Sequence, residues 1–283
     1  KELPENNIVT IQPDSLRILH NPLTGWVLYA SMGVDAADFW AQYDHMYIPE
    51  LGHNVSVTDY AHTLYIRASW TDFNPQEDVY GWKIDSNLRA YIEGAYLRNM
   101  RLAFRVVVDS RDKRTEFTPQ FVKDAGAKGF MNKGKWSPYS DDPVFQKYYT
   151  KFVKALAKDF NDPSKVEFID GFGLGKWGEY HTMIYSTGDD TPKKAVFDWV
   201  TDIYSQAFDK VPVVINYHRW IGAGKDWVDD EHFAADSEEM LEEAIKKGYS
   251  LRHDAFGMTT YYGSWERRFA KKYRNICPII MEG

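Results

Sequence analysis

The sequence contains a single cysteine, Cys277, among its 283 residues. One thiol excludes an internal disulfide and any metal site that is built from several thiolates. Cys277 lies in a short apolar run, where a small buried hydrophobe is the expected role. Cysteine usage therefore favours neither an oxidising nor a reducing compartment.

A net positive charge and long apolar runs are also lacking. The formal net charge of −7 leaves no basic surface for a phosphate backbone, which argues against nucleic acid as the main partner. No apolar run approaches the roughly 20 residues that a membrane-spanning helix needs. The opening at Lys1 has no signal-peptide hydrophobic region. We expect an exported protein, periplasmic, cell-surface or secreted, whose signal peptide lies outside this sequence.

Linkers, internal repeats and low-complexity tracts are absent, so we predict a single domain over residues 1–283. Aromatic residues are abundant instead: 10 Trp, 19 Tyr and 16 Phe make up 16% of the chain. Aromatic side chains fill protein cores, and their flat faces also suit the C–H faces of sugars. The composition thus favours a sugar ligand without requiring one.

Short β-branched runs alternate with longer segments of helical period, which is typical of βα units around a parallel sheet. The predicted strands are 25–30, 63–69, 102–109, 166–172, 211–217, 251–256 and 278–281. The predicted helices are 36–46, 86–99, 144–160, 191–209, 237–247 and 265–273. This pattern predicts a TIM-type (β/α)8 barrel with seven strands. We expect residues outside this sequence to supply the last βα unit, unless an eighth strand escapes the pattern.

Two connections are unusually long, 110–142 and 218–235, and both follow strands. Loops of this length in a compact domain commonly form lids or the walls of a ligand site. The second is expected to end at Asp236, which with Glu239 predicts a capping box for the helix 237–247.

Two glutamates, Glu179 and Glu282, follow the fourth and seventh predicted strands. In a βα-repeating barrel, residues just beyond the carboxyl ends of the strands face the catalytic end. A pair of carboxyl groups in such a position is the arrangement that cleaves glycosidic bonds. Their separation decides the stereochemistry, because about 5 Å implies retention and about 6.5 to 9.5 Å implies inversion.

Two competing interpretations concern the same strand ends. Residues 173–178 match the dinucleotide fingerprint Gly-x-Gly-x-x-Gly, but the helix that should begin there is predicted only near residue 191. Three histidines, His181, His218 and His253, also follow strands, and barrel hydrolases gather zinc ligands in such places. No His-x-His pair or His-Glu-x-x-His helix accompanies them. We expect neither a metal nor an organic cofactor.

The segment from Trp70 through Pro75 and Glu77 to Tyr80 and Trp82 resembles retaining glycoside hydrolases of clan A. The resemblance is closest to the bacterial (β/α)8 barrels of the β-galactosidase and cellulase branches. It implies hydrolysis of a polysaccharide or oligosaccharide by a retaining mechanism. It also implies that Glu179 is the acid/base and Glu282 the nucleophile. The sequence departs from the clan at Gly178, where an asparagine that contacts the sugar 2-hydroxyl usually precedes the acid/base.

Further residues near the strand ends are candidates for substrate binding, and several have a structural alternative such as a core position or an ion pair. Tyr217 and Asn216 could instead orient Glu282, and an arginine such as Arg67 could keep the nucleophile ionised. The candidates are Trp70, Asp72, Arg105, Trp177, His181, Asn216, Tyr217, Trp220, Arg252 and Asp254. The alternatives to a glycosidase are a carbohydrate-binding barrel without activity and, less favoured, a metal-dependent hydrolase. The sequence leaves the sugar and the oligomeric state open.

Overall fold

Seven parallel strands form one sheet in the computed structural model, which describes residues 25–111, 115–225, 231–258 and 260–282. Each strand pairs with the next one along the chain, so the sheet order follows the sequence. The strands are β1 (Trp26–Tyr29), β2 (Ala61–Ser69), β3 (Arg101–Val107), β4 (Val166–Asp170), β5 (Val213–Asn216), β6 (Ser250–His253) and β7 (Ile279–Met281). All seven predicted strands are confirmed, with ends that differ by a few residues.

A helix lies between each pair of successive strands. These are α1 (Ala36–Asp44), α2 (Ser86–Leu97), α3 (Pro143–Phe160), α4 (Lys193–Ala207), α5 (Glu231–Lys246) and α6 (Ser264–Tyr273). The longest, α3, begins where the side chain of Asp142 accepts hydrogen bonds from the free N–H groups of Val144 and Phe145, with proline at the first helical position. Its buried residues recur every three or four positions and cover the outside of the sheet.

The sheet curls round on itself. Tyr65 from β2, Ala103 from β3, Phe168 from β4 and Val214 from β5 form one small apolar cluster, and Ile280 from β7 packs against it. Residues from β2 and β7 can share a cluster only when the two ends of the sheet approach each other. The predicted α/β fold of the TIM-barrel type, with seven βα strands, is therefore confirmed for the described residues.

The curled sheet is open between its edge strands. Among the described residues, β1 pairs only with β2, and β7 pairs only with β6. A cavity of about 590 Å³ lies between these edges and is lined by residues of both strands. That residues outside this sequence complete the barrel stays a prediction.

Short elements that the sequence pattern did not predict lie within the connections. Two antiparallel hairpins pair Met46–Ile48 with His53–Val55 and Gly129–Asn132 with Lys135–Pro138. Short helices span Trp70–Phe73, Gly81–Ile84 and Gln120–Asp124, and single 3-10 turns span Val57–Asp59 and Lys176–Gly178. No helix among the described residues has both the length and the apolar character to cross a membrane.

The predicted start of the fifth helix was wrong. The helix α5 already begins at Glu231, so Asp236 lies inside it and does not cap it. The Asp236 carboxylate instead accepts a hydrogen bond of 2.8 Å from Lys193 Nζ on α4. Asp236, which the sequence pattern marks as a helix cap, thus makes a tertiary contact with α4 instead. The predicted exit is confirmed, because Gly248 has a φ of +96°.

Candidate active site

The connection after β4 holds Glu179 in a strained backbone. Glycines at 173, 175 and 178 have φ of +70°, +74° and +74°, which glycine adopts without penalty. Trp177, Tyr180 and Thr182 have φ of +58°, +59° and +51°, which is costly for residues that carry a Cβ. Three such residues within six positions of the chain surround Glu179. Strain of this kind persists where the surrounding structure enforces it, and it clusters at functional sites.

The backbone geometry at residue 178 explains why glycine stands where the clan pattern has asparagine. Its φ is +74°, and a Cβ at this position would lie 3.3 Å from Val107 Cγ2 and 3.5 Å from Arg105 Cδ. The backbone therefore passes close to β3 with little space for a side chain. In this chain the residue before Glu179 provides close packing, and the side-chain contact that asparagine would make is absent.

The carboxylate of Glu179 faces positive charge on one side and a histidine on the other. Its Oε1 atom lies 3.5 Å from Arg105 Nη1 and 3.7 Å from Arg67 Nη2. Its Oε2 atom lies 3.3 Å from His181 Nε2. The Arg67 guanidinium also donates a 2.7 Å hydrogen bond to the carbonyl of Trp177, which fixes the loop to β2. Glu179 is thus held on both oxygens with its side chain 15% exposed.

Two buried histidines stay neutral at this end of the sheet. His218 Nε2 donates to the backbone carbonyl of Glu179 at 2.9 Å, so its proton is on that nitrogen. Burial, reinforced by His181, lowers the pKa of His218 to about 3. His253 Nδ1 accepts from the N–H of Ala255 at 3.1 Å, and burial lowers the pKa of His253 to about 4. Neither imidazole is charged at neutral pH.

A network of four buried charges contacts Glu179 through Arg105. Arg105 Nε donates to Asp170 Oδ2 at 3.0 Å, and Arg105 Nη2 donates to Asp254 Oδ2 at 2.7 Å. Arg252 Nε donates to Asp254 Oδ1 at 2.5 Å, and Tyr65 donates its hydroxyl proton to Asp170. Burial opposes the charge on Asp254, but the two guanidiniums outweigh it and hold the pKa of Asp254 well below its usual range.

The second predicted carboxylate, Glu282, directly follows β7 and contacts the same network. Arg252 Nη2 donates to Glu282 Oε2. The backbone of Glu282 is held by His253 O at 2.9 Å and by the N–H of Phe256 at 2.8 Å. Its side chain is 30% exposed and lines the cavity between β1 and β7. A chain of charged contacts, Glu179–Arg105–Asp254–Arg252–Glu282, thus connects the two predicted carboxylates.

A cavity of about 230 Å³ opens beside Glu179 at the carboxyl ends of β4, β5 and β6. Six of the predicted site residues line it: Trp177, Glu179, His181, Asn216, Trp220 and Asp254. Five further lining residues were not among the predicted site residues: His218, His253, Ala255, Met258 and Tyr261. Strand-end position singled out the two histidines, but only as alternatives for a metal site. Asn216 Oδ1 is buried without a hydrogen-bond partner among the described residues.

Three predicted substrate-binding residues lie elsewhere, and these predictions are corrected. Trp70 is fully buried among the aromatic rings of Phe145, Tyr149 and Phe152, so it belongs to the core. Asp72 accepts from the backbone N–H of Ser69, whose hydroxyl in turn caps the short helix that follows. The fully buried Tyr217 contacts the hydroxyl of Tyr262 at 3.3 Å, and no described hydrogen bond joins it to Glu282.

Two other predicted residues act through ion pairs. Arg105 is fully buried and is absent from the cavity wall beside Glu179, as far as the described residues define it. Arg252 lines the cavity between β1 and β7 and contacts Glu282. That an arginine keeps the nucleophile ionised stays a prediction. Arg67, another candidate for that role, contacts Glu179 instead.

The motif that carries the resemblance serves packing in this fold. Tyr80 stacks on Trp82 with 4.8 Å between ring centroids, and Trp82 Nε1 donates to Asp159 at 2.8 Å. Glu77 pairs with Lys151 on α3 at 2.8 Å. None of these residues lines the cavity beside Glu179. The segment fixes the chain after β2 against the helical layer.

The competing interpretations find no support in the described part of the chain. Residues 173–178 lead into a single 3-10 turn, Lys176–Gly178, rather than the helix that a dinucleotide site requires. Across residues 25–111, 115–225, 231–258 and 260–282, no three side chains of the histidine, cysteine and acidic types are arranged to hold a metal ion.

No protein-family model matches the chain, and no curated protein matches it at a significant level. Solved structures do match it. Endo-glycoceramidase II from Rhodococcus sp. is 12% identical with a TM-score of 0.46, over 91% of this chain and 72% of that chain. Xylanase B from Clostridium stercorarium F9 is 13% identical with a TM-score of 0.43, over 90% and 84%. An endo-1,4-beta-xylanase from Caldicellulosiruptor owensensis is 13% identical with a TM-score of 0.45, over 79% and 62%. A likeness of this degree transfers no reaction to this chain, since one fold hosts many activities.

Proposed function

We propose that the protein is a glycoside hydrolase that cleaves O-glycosidic bonds of an oligosaccharide or polysaccharide with retention of configuration. Glu179 is the general acid/base and Glu282 is the nucleophile. The observation that carries the proposal is the chain of charged contacts through Arg105, Asp254 and Arg252, which joins two carboxylates that are 103 residues apart. It holds both carboxylates at the end of the barrel where such folds perform catalysis.

The reaction requires opposite charge states of the two residues. The Glu282 carboxylate attacks the anomeric carbon while the bond to the leaving oxygen breaks and that oxygen takes the proton of Glu179. Water then gives a proton to Glu179 and attacks the anomeric carbon, which releases Glu282. The ion pair with Arg252 stabilises the carboxylate form of Glu282 that the attack needs.

Aromatic walls beside Glu179 suit a sugar ring. Trp177 and Trp220 line the cavity, and each tryptophan has a cation over its ring. Lys176 Nζ is 4.3 Å from the Trp177 centroid, and Arg219 Cζ is 4.6 Å from the Trp220 centroid. Contacts of this type orient the rings before a ligand arrives. Trp177, which is oriented in advance, therefore loses little conformational entropy when a sugar stacks on it. Trp220 is only 4% exposed, and its ring also lies 5.2 Å from that of His218, so it shapes the cavity wall.

Hydrolysis of a broad panel of aryl glycosides and oligosaccharides tests the proposal. We expect Glu179→Gln and Glu282→Gln each to lower kcat on the order of 10²- to 10⁴-fold, because each removes a proton donor or a nucleophile. Glu93→Gln is the matched control, since Glu93 is an exposed partner of Arg89 on α2 and its loss should leave kcat unchanged. Full activity in either site variant would contradict the assigned roles.

A carbohydrate-binding barrel without activity is the second candidate. One observation favours it: Glu282 lines the cavity between β1 and β7, whereas Glu179 lines the aromatic cavity. Sugar titrations monitored by tryptophan fluorescence distinguish the two functions, because Trp177 and Trp220 lie at the cavity. Binding without hydrolysis of any glycoside in the panel, unchanged in both glutamine variants, would favour the binding protein.

A further inference from the structure

We infer that Asp254 is a positioning residue that holds Arg105 and Arg252 between the two glutamates and balances their charge. The inference rests on the proposed function, because it assigns how the arginines that contact the acid/base and the nucleophile are held in place and how their charge is balanced. It replaces the sequence-based expectation that Asp254 binds substrate hydroxyls.

Both oxygens of Asp254 are already used. Oδ1 accepts from Arg252 Nε at 2.5 Å, and Oδ2 accepts from Arg105 Nη2 at 2.7 Å. The Asp254 side chain is only 5% exposed although it lies at the cavity wall. Each arginine uses another nitrogen to reach a glutamate, Arg105 to Glu179 and Arg252 to Glu282. A shift of Asp254 would therefore move both guanidiniums relative to both carboxylates.

The buried network is electrically neutral. Arg105 and Arg252 contribute two positive charges, and Asp170 and Asp254 contribute two negative ones, all with side chains at most 5% exposed. Tyr65 on β2, His218 after β5 and His253 on β6 are near enough to interact electrostatically with Asp254. The other charged or titratable groups around the network contact its partners: Arg67 and His181 lie beside Glu179, and Glu282 contacts Arg252.

This neutrality resolves a conflict in the acid role of Glu179. Arg67 and Arg105 both lie within 4 Å of its carboxylate, and two uncompensated guanidiniums would favour loss of the proton that the acid must deliver. Asp254 offsets the charge of Arg105. Removal of that negative charge should favour ionisation of Glu179 and of Glu282 together.

The bell-shaped pH profile of kcat/KM is the decisive readout, because its limbs report the ionisation of the acid and of the nucleophile. In Asp254→Asn both limbs should move to lower pH, on the order of one pH unit. Asp254→Glu retains the charge and should keep the limbs near those of the parent protein while kcat falls. Glu93→Gln removes a distant surface carboxylate and should change neither limb.

A second measurement is independent of catalysis. Carboxyl ¹³C NMR of the ligand-free protein should show that Glu179 and Glu282 titrate at lower pH in Asp254→Asn than in the parent. If that variant does not fold, the double variant Asp254→Asn/Arg252→Gln removes one charge of each sign. The titration of Glu179 in the double variant should then stay near that of the parent.

The outcomes separate this inference from the proposed function. If the limbs of the pH profile do not move in Asp254→Asn and KM rises, Asp254 is a substrate ligand. If the limbs do not move and only kcat falls, Asp254 has a merely structural role. Either result overturns the inference while hydrolysis by the parent upholds the proposed function. If the parent hydrolyses no glycoside, the proposed function fails, and the NMR titration still decides whether Asp254 sets the ionisation of the two glutamates.

Discussion

The ends of β4 and β7 each carry one of the two glutamates, but they hold it by different means. Glu179 follows β4, a strand with a partner on both sides, and its loop is fixed by Arg67, His181 and His218. Glu282 follows a strand of three residues with one described partner, and its side chain contacts Arg252. The Glu179 carboxylate has three charged or titratable neighbours, whereas the Glu282 carboxylate has one, Arg252, within the part of the chain that the structure describes.

The difference shows that one network of buried charges can contact two carboxylates whose surroundings differ. The loop around Glu179 stores backbone strain at Trp177 and Tyr180, so its geometry is built into the chain. The backbone of Glu282 is held by His253 and Phe256, and its carboxylate is held by Arg252, which itself contacts Asp254. We therefore expect substitutions at the β4 end to affect stability more than substitutions at the β7 end.

The largest effect is expected for Arg105→Met. The substitution leaves Asp170 and Asp254 buried with less compensation, and breaking a buried ion pair typically costs about 3–5 kcal/mol of unfolding free energy. Arg67→Met is the matched control, because Arg67 also contacts Glu179 but its side chain is 19% exposed. We expect a loss of about 1 kcal/mol for the control. Equal losses in urea denaturation would contradict the special role of the buried network.

Acid should destabilise the β4 end. The pKa of His218 is lowered by burial to about 3, whereas an unfolded histidine titrates near 6.5, so the unfolded state binds more protons below that pH. Stability therefore falls as the pH drops from 6.5 toward 3. At pH 4.5 the His218 contribution should amount to a loss of about 2–3 kcal/mol relative to pH 7.

The variant His218→Gln isolates this contribution, because its amide can still donate to the carbonyl of Glu179. Urea midpoints at pH 7 and pH 4.5 should differ less in the variant than in the parent. An identical pH dependence in the two proteins would show that His218 is not the acid-sensitive group.

A smaller effect is expected for Gly178→Asn, which restores the residue of the clan pattern. The φ of +74° and the close approach to Val107 and Arg105 should cost about 1 kcal/mol of unfolding free energy. Gly52→Asn is the control, because Gly52 has a φ of +69° and a Cβ added there would meet no atom within 4 Å. If both variants lose the same stability, backbone strain and not packing explains the glycine before Glu179.

The smallest effect is expected for Glu282→Gln. The Glu282 side chain is 30% exposed, and Arg252 retains its contact with Asp254, so the loss should stay below about 1 kcal/mol. Thermal denaturation of the variant beside the parent measures it. A loss above that range would mean that the β7 end depends on its carboxylate for folding as strongly as the β4 end depends on its contacts.

The strands were predictable because each is a short β-branched run between turn residues, and parallel strands that are buried on both faces read as continuous apolar runs. The hairpins were not predicted because strands of three or four residues, such as His53–Val55, are too short to show a period in hydrophobicity. The early start of α5 was not predicted because Asp236 resembles a helix cap in the sequence but binds Lys193 in the structure. Local chemistry alone cannot distinguish a helix terminus from a tertiary contact.

The candidate site was predictable only in part. Glu179, Trp177 and His181 are close in sequence and follow one strand, and all three line the same cavity. Trp70 also ends a strand, but its ring turns into the aromatic core, which depends on helix packing that no local pattern encodes. The pair of Arg105 and Asp254 spans 149 residues of sequence, so only the curl of the sheet reveals it.

Covalent trapping tests most directly whether the two carboxylates act at one anomeric carbon. Incubation with the 2-deoxy-2-fluoro glycosyl fluoride of a sugar that the protein hydrolyses should produce a stable adduct, which peptide mass spectrometry locates. We predict the label on Glu282 in the parent protein and its absence in Glu282→Gln. A label on Asp254 or Glu179, or hydrolysis that proceeds with inversion and without any adduct, would contradict the account.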